Sequence, residues 1–203
     1  MSRFVKKCFD FLVATLALLL LAPLSGCLAI AIRLSMGSPV LFRHVRPGYQ
    51  SKPFVLLKFR TMNSMCDTQG SLLADERRLT RLGRLLRRFS LDEIPQLWNV
   101  WKGEMSLVGP RPLLMEYLER YTPEQARRHD VKPGITGWAQ VNGRNALSWE
   151  ERFRLDVWYV DHWSLALDCR IILMTIRKVL LREGISQRGH ATMPKFLGNN
   201  HAG

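Results

Sequence analysis

Apolar and polar positions divide this chain into stretches of different period. Residues 11–32, FLVATLALLLLAPLSGCLAIAI, carry no charge, and an apolar run of that length is long enough for a membrane helix. Pro23, Ser25 and Gly26 interrupt it near the middle, where proline removes a hydrogen bond and kinks a helix. Each half then spans about 11–12 residues, roughly 17 Å at the helical rise and about half the hydrocarbon thickness. Arg3, Lys6 and Lys7 precede the run, and Arg33, Arg43 and Arg46 follow it. Positive flanks belong on the cytoplasmic side. With both flanks there, the segment enters one leaflet and returns, as a re-entrant helix–break–helix with its break at Pro23. A kinked spanning helix and a cleaved signal peptide are the alternatives.

Beyond this run the pattern shortens. Ser38–Val45 and Phe54–Met62 read as strands, joined by turn chemistry at Arg46-Pro47-Gly48-Tyr49 into a hairpin. Lys58 and Arg60 share one strand face, either a binding face or a solvated one. Residues 63–75 are polar and loop-like. In 76–89, Leu79, Leu82, Leu85, Leu86 and Phe89 recur at helical spacing among arginines. This is a basic amphipathic helix, suited to an anionic membrane surface or to core packing with a solvated basic face. Trp98 and Trp101, three apart in the next helix, suit an interfacial belt or the core. Thr122 with Gln125, and Ser148 with Glu151, are capping boxes; the second opens a helix to about His162. Ser164 opens a last helix with a core face of Ile171, Ile172, Ile176, Val179 and Leu180, and Asp168 in its first turns. Residues 133–146, PGITGWAQVNGRNA, form a glycine-containing loop that brings Asn142 and Arg144 to a surface. The expected class is α+β: a mainly helical, monotopic membrane protein with a short hairpin and amphipathic interfacial helices. A membrane helix over 1–36 precedes a cytosol-facing catalytic domain over 37–203.

Charge narrows the partners. Thirty Lys and Arg against seventeen Asp and Glu leave a net charge of +13, which calls for an anionic partner: nucleic acid, anionic lipid or a phosphorylated substrate. Nucleic-acid binding would need a reading helix or stacking aromatics among the arginines, and residues 76–89 offer leucines instead. The four cysteines are scattered without a C-x-x-C pair, which argues against a zinc site or a disulfide framework.

The chemistry concentrates in ERRLTRLGRLLRRFSLDEIPQLWNVWKGEMSLVGPRP, residues 76–112. Arg84, Arg87 and Arg88 precede two adjacent carboxylates, Asp92 and Glu93, and Arg111 follows in the stiff turn Gly109-Pro110-Arg111-Pro112. Ser90 and Glu93 have capping-box spacing, which places Asp92 at the positive end of a helix. Helix capping alone accounts for many such pairs. A carboxylate pair also suits a hard divalent cation, and arginines beside it suit phosphate. Together they point to a site for Mg²⁺ and a phosphorylated substrate.

The strings FVLLKFRTM, LGRLLRRFSLDEIPQLWNVWKGEMSLVGPRPLL, RHDVKPGITGWAQVNGRNA and RKVLLREGISQRGHATMPKF resemble the bacterial sugar transferase family, the monotopic phosphoglycosyl transferases, over about residues 3–197. The family's helix break is a Ser-Pro pair. Here it reads Ala22-Pro23, leaving Ser25 as the candidate to stand in for the missing serine. The resemblance implies transfer of a phosphosugar from a UDP-sugar to undecaprenyl phosphate at the cytoplasmic face of the bacterial inner membrane, with release of UMP. It implies that Asp92 forms a covalent phosphosugar intermediate, and that Asp92 and Glu93 hold Mg²⁺. Glu93 would orient the metal or assist the acceptor. Arg87, Arg111 and Arg144 would contact phosphate or uridine, with Lys58, Arg60, Asn142 and Asp168 as further substrate-binding candidates. Direct transfer without a covalent intermediate is the alternative mechanism. The likeness is greatest to members that use UDP-N,N′-diacetylbacillosamine, so an N-acetylated donor is expected. Membrane lipids are expected partners and nucleic acid is not; a homo-oligomer is left open.

Overall fold

The computed structural model describes residues 3–143, 147–181 and 195–198. The first helix, α1 (Arg3–Met36), contains Pro23. It is followed by the antiparallel hairpin of β1 (Leu41–Pro47) and β2 (Pro53–Phe59). Two short helices come next, α2 (Asp75–Arg78) and α3 (Arg81–Arg88), then a 3₁₀ turn at Leu91–Glu93 and α4 (Gln96–Trp101). Strand β3 (Ser106–Val108) pairs in parallel with β4 (Gly134–Thr136). Between them lie a 3₁₀ segment at Met115–Arg120, α5 (Pro123–Ala126) and a second 3₁₀ turn at Arg127–Asp130. Helices α6 (Trp138–Asn142), α7 (Trp149–Asp161) and α8 (Leu165–Leu181) follow.

The α+β class and the hairpin agree with expectation, with strand ends shifted by a few residues. The expected break in the first helix does not interrupt helical structure: α1 runs through Pro23 as 34 continuous residues. Proline removes one donor, and an apolar helix keeps the remaining bonds on either side. Ser25 makes no side-chain hydrogen bond among the described residues. The expected helix over 76–89 is instead two helices. Thr80 takes extended geometry and its hydroxyl accepts from Gly83 N, so it caps α3. Gly83 packs against the chain at Thr61, where a Cβ would lie 1.9 Å from the carbonyl oxygen. The cap at Ser90 is also different. Ser90 is left-handed (φ 55°) with no side-chain cap, because Glu93 turns toward two cations rather than back to the Ser90 amide. The boxes at Thr122 and Ser148 form as expected. In α8, Ile171 is fully buried but Ile176 is half exposed, so the core face is narrower than the sequence pattern.

Helix α1 packs on the rest of the chain at both of its ends. Phe9, Val13, Ala14, Ala17, Leu18 and Leu21 join the core built by Leu56, Leu97, Val100, Leu107, Val108 and Tyr159. Leu28, Ala29, Ile32 and Met36 join a second core with Phe59, Leu86 and Leu91. Two polar residues lock the first half. Asp10 is buried and accepts from Leu107 N, and Lys6 pairs with Asp168 while donating to Val108 O. The opposite side of α1 stays open, with Phe4, Phe11, Leu12, Leu16, Leu19, Leu20, Leu24, Ile30 and Leu34 exposed. Phe11 stacks on Trp101, which stacks on Trp98 at 4.8 Å between ring centroids. Both tryptophans are well exposed, as in an interfacial belt.

Gly83→Ala drives a Cβ into the Thr61 backbone and lowers unfolding free energy by about 1–3 kcal/mol, measurable as a fall in Tm in detergent. His129 is buried against Gly48 O, and burial followed by the neighbouring Arg128 charge pushes it down to about 4. The unfolded chain then binds a proton that the folded chain refuses between its ordinary value near 6.5 and about 4. Stability falls as pH drops through that window, by up to about 1.4 kcal/mol per pH unit. His129→Asn flattens this slope in denaturation curves taken across the window.

Candidate active site

One face of the hairpin lines a cleft of about 1020 Å³. In β2 the alternation that buries Phe54 and Leu56 continues to Lys58, so the shared face of Lys58 and Arg60 is the cleft face. The register pairs Phe54 with Arg46, Leu56 with His44 and Lys58 with Phe42, which turns those β1 residues to the same side. Across the cleft lie Arg87 at the end of α3, the 3₁₀ turn with Asp92 and Glu93, and Arg111 just after β3. Arg46, Lys58, Arg60, Arg78, Arg87, Arg111 and Arg152 line the walls against Asp75, Asp92, Glu93 and Asp156. A cationic excess in a partly enclosed cleft concentrates anionic ligands.

The two central carboxylates are in different states. Glu93 Oε1 takes Lys58 Nζ at 2.7 Å and also Arg111 Nη2, and Oε2 takes a longer 3.4 Å contact from Arg111 Nη1. Burial opposes its charge, but Arg111 and Lys58 together overcome burial and hold the carboxyl far below the usual range. Asp92 is buried too, with 7% of its surface exposed, yet it accepts no hydrogen bond among the described residues and has Lys58 Nζ only at 4.0 Å. Burial, then the Glu93 charge, push its carboxyl up, against the pull of Lys58, Arg111 and Arg87. Asp92 therefore presents a buried carboxyl whose oxygens accept no hydrogen bond among the described residues.

The chain around the dyad is tied down. Gly109 fits only without a side chain, since a Cβ there would meet Lys132 O at 2.3 Å. Fully buried Arg128 donates from Nε and Nη2 to Asp156, the latter at 2.7 Å, and from Nη2 to the Arg111 carbonyl at 2.8 Å. The Arg111 backbone is thus held from behind while its guanidinium grips Glu93. Arg87 donates to Thr61 Oγ1 at 3.2 Å and has no carboxylate partner among the described residues.

The expected site residues sort clearly. Asp92, Glu93, Arg87, Arg111, Lys58 and Arg60 come together at the cleft. Arg60 is committed to the chain, donating to Met62 O, Ser38 O and Ser64 Oγ. Asp168 lies outside the cleft lining. It is fully buried, and its carboxylate takes Lys6, Tyr159 OH and Trp163 Nε1, so it anchors α1 instead of meeting substrate. Asn142 donates to Trp138 O at the end of α6 and is also outside the lining. Arg144 lies outside the described residues. Arg46, Arg78 and Arg152 line the cleft in addition to the expected site residues. Burial, with Arg111 and Arg128 nearby, pushes Arg152 down to about 10 despite the opposing pull of Asp156. Strand alternation could have marked Arg46 only once the hairpin register was known.

No group of three or more His, Cys, Asp or Glu able to hold a metal occurs among the described residues. Mg²⁺ does not require one, since it keeps waters and substrate phosphates and takes one or two carboxylates. Asp92 with its open oxygens, and Glu93 Oε2 with its single long contact, provide a donor set that fits.

The family described as Bacterial sugar transferase matches residues 1–182. An uncharacterized sugar transferase of Bacillus subtilis, EpsL, is 57% identical over 195 residues, covering 96% of each chain. The UDP-glucose:undecaprenyl-phosphate glucose-1-phosphate transferase of Escherichia coli is 41% identical over 187 residues, 87% of this chain. The undecaprenyl-phosphate galactose phosphotransferase of Salmonella typhimurium is 39% identical over 201 residues, 90% of this chain. The chain spans 40% and 42% of the length of those last two proteins. With a match over nearly its whole described length and a paired Asp-Glu in a cationic cleft, the chain belongs to the bacterial sugar transferase family.

Proposed function

We propose that this protein transfers a phosphosugar from a UDP-sugar to undecaprenyl phosphate, releasing UMP, through a covalent intermediate on Asp92. The observation that carries this reading is the asymmetry of the dyad. Glu93 is neutralised by Lys58 and Arg111, while Asp92 beside it is buried, accepts no hydrogen bond among the described residues and has Lys58 only at 4.0 Å. In the first half-reaction an Asp92 Oδ attacks the phosphorus that bears the sugar. The bond from that phosphorus to the bridging oxygen breaks, and UMP leaves with the electron pair. In the second, a phosphate oxygen of the acceptor attacks the same phosphorus and Asp92 leaves. Arg87, with no carboxylate partner among the described residues, is positioned to hold the transferring phosphate. Glu93 holds Lys58 and Arg111 at the cleft wall. Asp92 and Glu93 Oε2 would hold Mg²⁺, which when bound supplies charge compensation for the diphosphate.

The donor is a UDP-sugar. The sequence likeness favours a diacetylbacillosamine-type sugar, whereas the relatives carry glucose and galactose in their names, so all three belong in the first panel. Intact mass measured with Mg²⁺ and this panel, without acceptor, gains one phosphosugar with the right donor and releases UMP. Asp92→Asn abolishes both. UMP release that waits for acceptor, with no adduct, marks direct transfer instead. Glu93→Gln frees Lys58 and Arg111 from their anchor and lowers kcat by roughly 10²–10³-fold, with Asp92 still present.

The reading also places both ends of α1 on the cytoplasmic face. Its support is that Lys6 at one end and Ile32 at the other pack on the same body, whereas a straight helix of this length would extend about 50 Å and outrun a bilayer core of about 30 Å. In a cysteine-free background, Phe4→Cys and Ser35→Cys both react with an impermeant thiol reagent added to inside-out vesicles. Reaction at only one of them marks a spanning helix.

A further inference from the structure

A double displacement at one phosphorus constrains the cleft further. If each half-reaction is in line, the UMP phosphate leaves from the side opposite Asp92, and the acceptor phosphate must attack from that same side. One place therefore receives two different phosphomonoesters in turn, and it needs a cation that is not spent on a carboxylate. Arg111 is spent on Glu93, Arg60 on backbone carbonyls, Arg78 on Asp75 and Arg128 on Asp156. Lys58 is spent on Glu93 too, and Arg87 is the cation assigned above to the transferring phosphate.

Arg46 is different. It lies on the cleft face of β1, opposite Phe54. Its guanidinium is partly buried and has no ion pair or hydrogen bond among the described residues, and its Nε is shut off from water without a partner. A buried Nε–H left without an acceptor costs free energy, which an anionic ligand at this guanidinium would recover. Burial and then the Arg111 charge weaken its hold on its proton, and Tyr117 and Tyr121 lie nearby. Arg46 from β1 and Asp92 from the 3₁₀ turn line the same cleft, so a phosphate held at Arg46 shares the pocket with the attacked phosphorus.

We propose that Arg46 forms a phosphomonoester subsite used twice per turnover, by the phosphate of departing UMP and then by the phosphate of the incoming polyprenyl acceptor. The proposal rests on the covalent double-displacement reading above. The guanidinium makes no bond in either step; it orients the phosphate and offsets its charge.

The test uses the full chain in detergent with Mg²⁺ and the donor identified by adduct formation. The inhibition constant of UMP against adduct formation, and the KM for undecaprenyl phosphate, are measured for the wild type, Arg46→Gln and Arg46→Lys. In Arg46→Gln both constants rise together, by about tenfold or more, while the Asp92 adduct still forms. Arg46→Lys recovers part of both, because it restores the charge without the planar fork. A rise in one constant alone overturns the shared subsite, assigning Arg46 to the donor or to the acceptor. Lower Tm and kcat with both constants unchanged make Arg46 structural and also overturn it. If the wild type itself forms no adduct but transfers the phosphosugar directly, the covalent reading fails, and this inference falls with it.

Discussion

The Glu93 carboxylate, held between Lys58 and Arg111, is the interaction on which the site depends. Its partners come from β2 and from the turn after β3, elements separated along the chain from the 3₁₀ turn that carries it. A buried cluster of this kind is a weak source of net stability, because desolvation offsets much of the attraction. Its effect here is positional. By drawing two cations to itself, Glu93 keeps them from closing over its neighbour. Asp92 is left buried and open, one residue away on the same tight turn.

The support behind this arrangement extends inward. Arg128 bonds Asp156 and the Arg111 carbonyl at once, so α7 and the segment before β4 help to aim the Arg111 side chain. On its other side β3 receives α1, through Asp10 at Leu107 and Lys6 at Val108. Strand β3 therefore has the long apolar helix docked along it and Arg111 three residues beyond its end, so few residues separate the exposed apolar surface from the cationic cleft.

The same economy explains the exposed apolar surface. A helix that is apolar all round must face protein on one side and another apolar medium on the other. In α1 the packed side meets two cores, and the open side continues through Phe11 to the stacked Trp101 and Trp98. Apolar surface on this scale, edged by tryptophans, is a membrane-facing feature.

Much of this was legible in the residues themselves. Period and capping marked the hairpin, the boxes at Thr122 and Ser148, and the long apolar helix. Charge and adjacency marked Asp92, Glu93, Arg87 and Arg111, because hard carboxylates beside guanidiniums have a narrow range of chemical uses. Three kinds of feature depended on tertiary contact. The short parallel pair β3–β4 has three residues per strand, too few for any period to register. Ser90 and Asp168 carry local capping signals that long-range partners override: Glu93 turns to Lys58 and Arg111, and Asp168 to Lys6, Tyr159 and Trp163. Finally, Lys58 and Arg46 acquire a role only through strand register, since a one-residue shift would turn both to the opposite face. The sequence by itself determined which chemical groups were present and the local turns they favour. Which carboxylate is neutralised and which stays open was decided by the tertiary structure, because charge pairing and desolvation depend on distances between segments far apart in the chain.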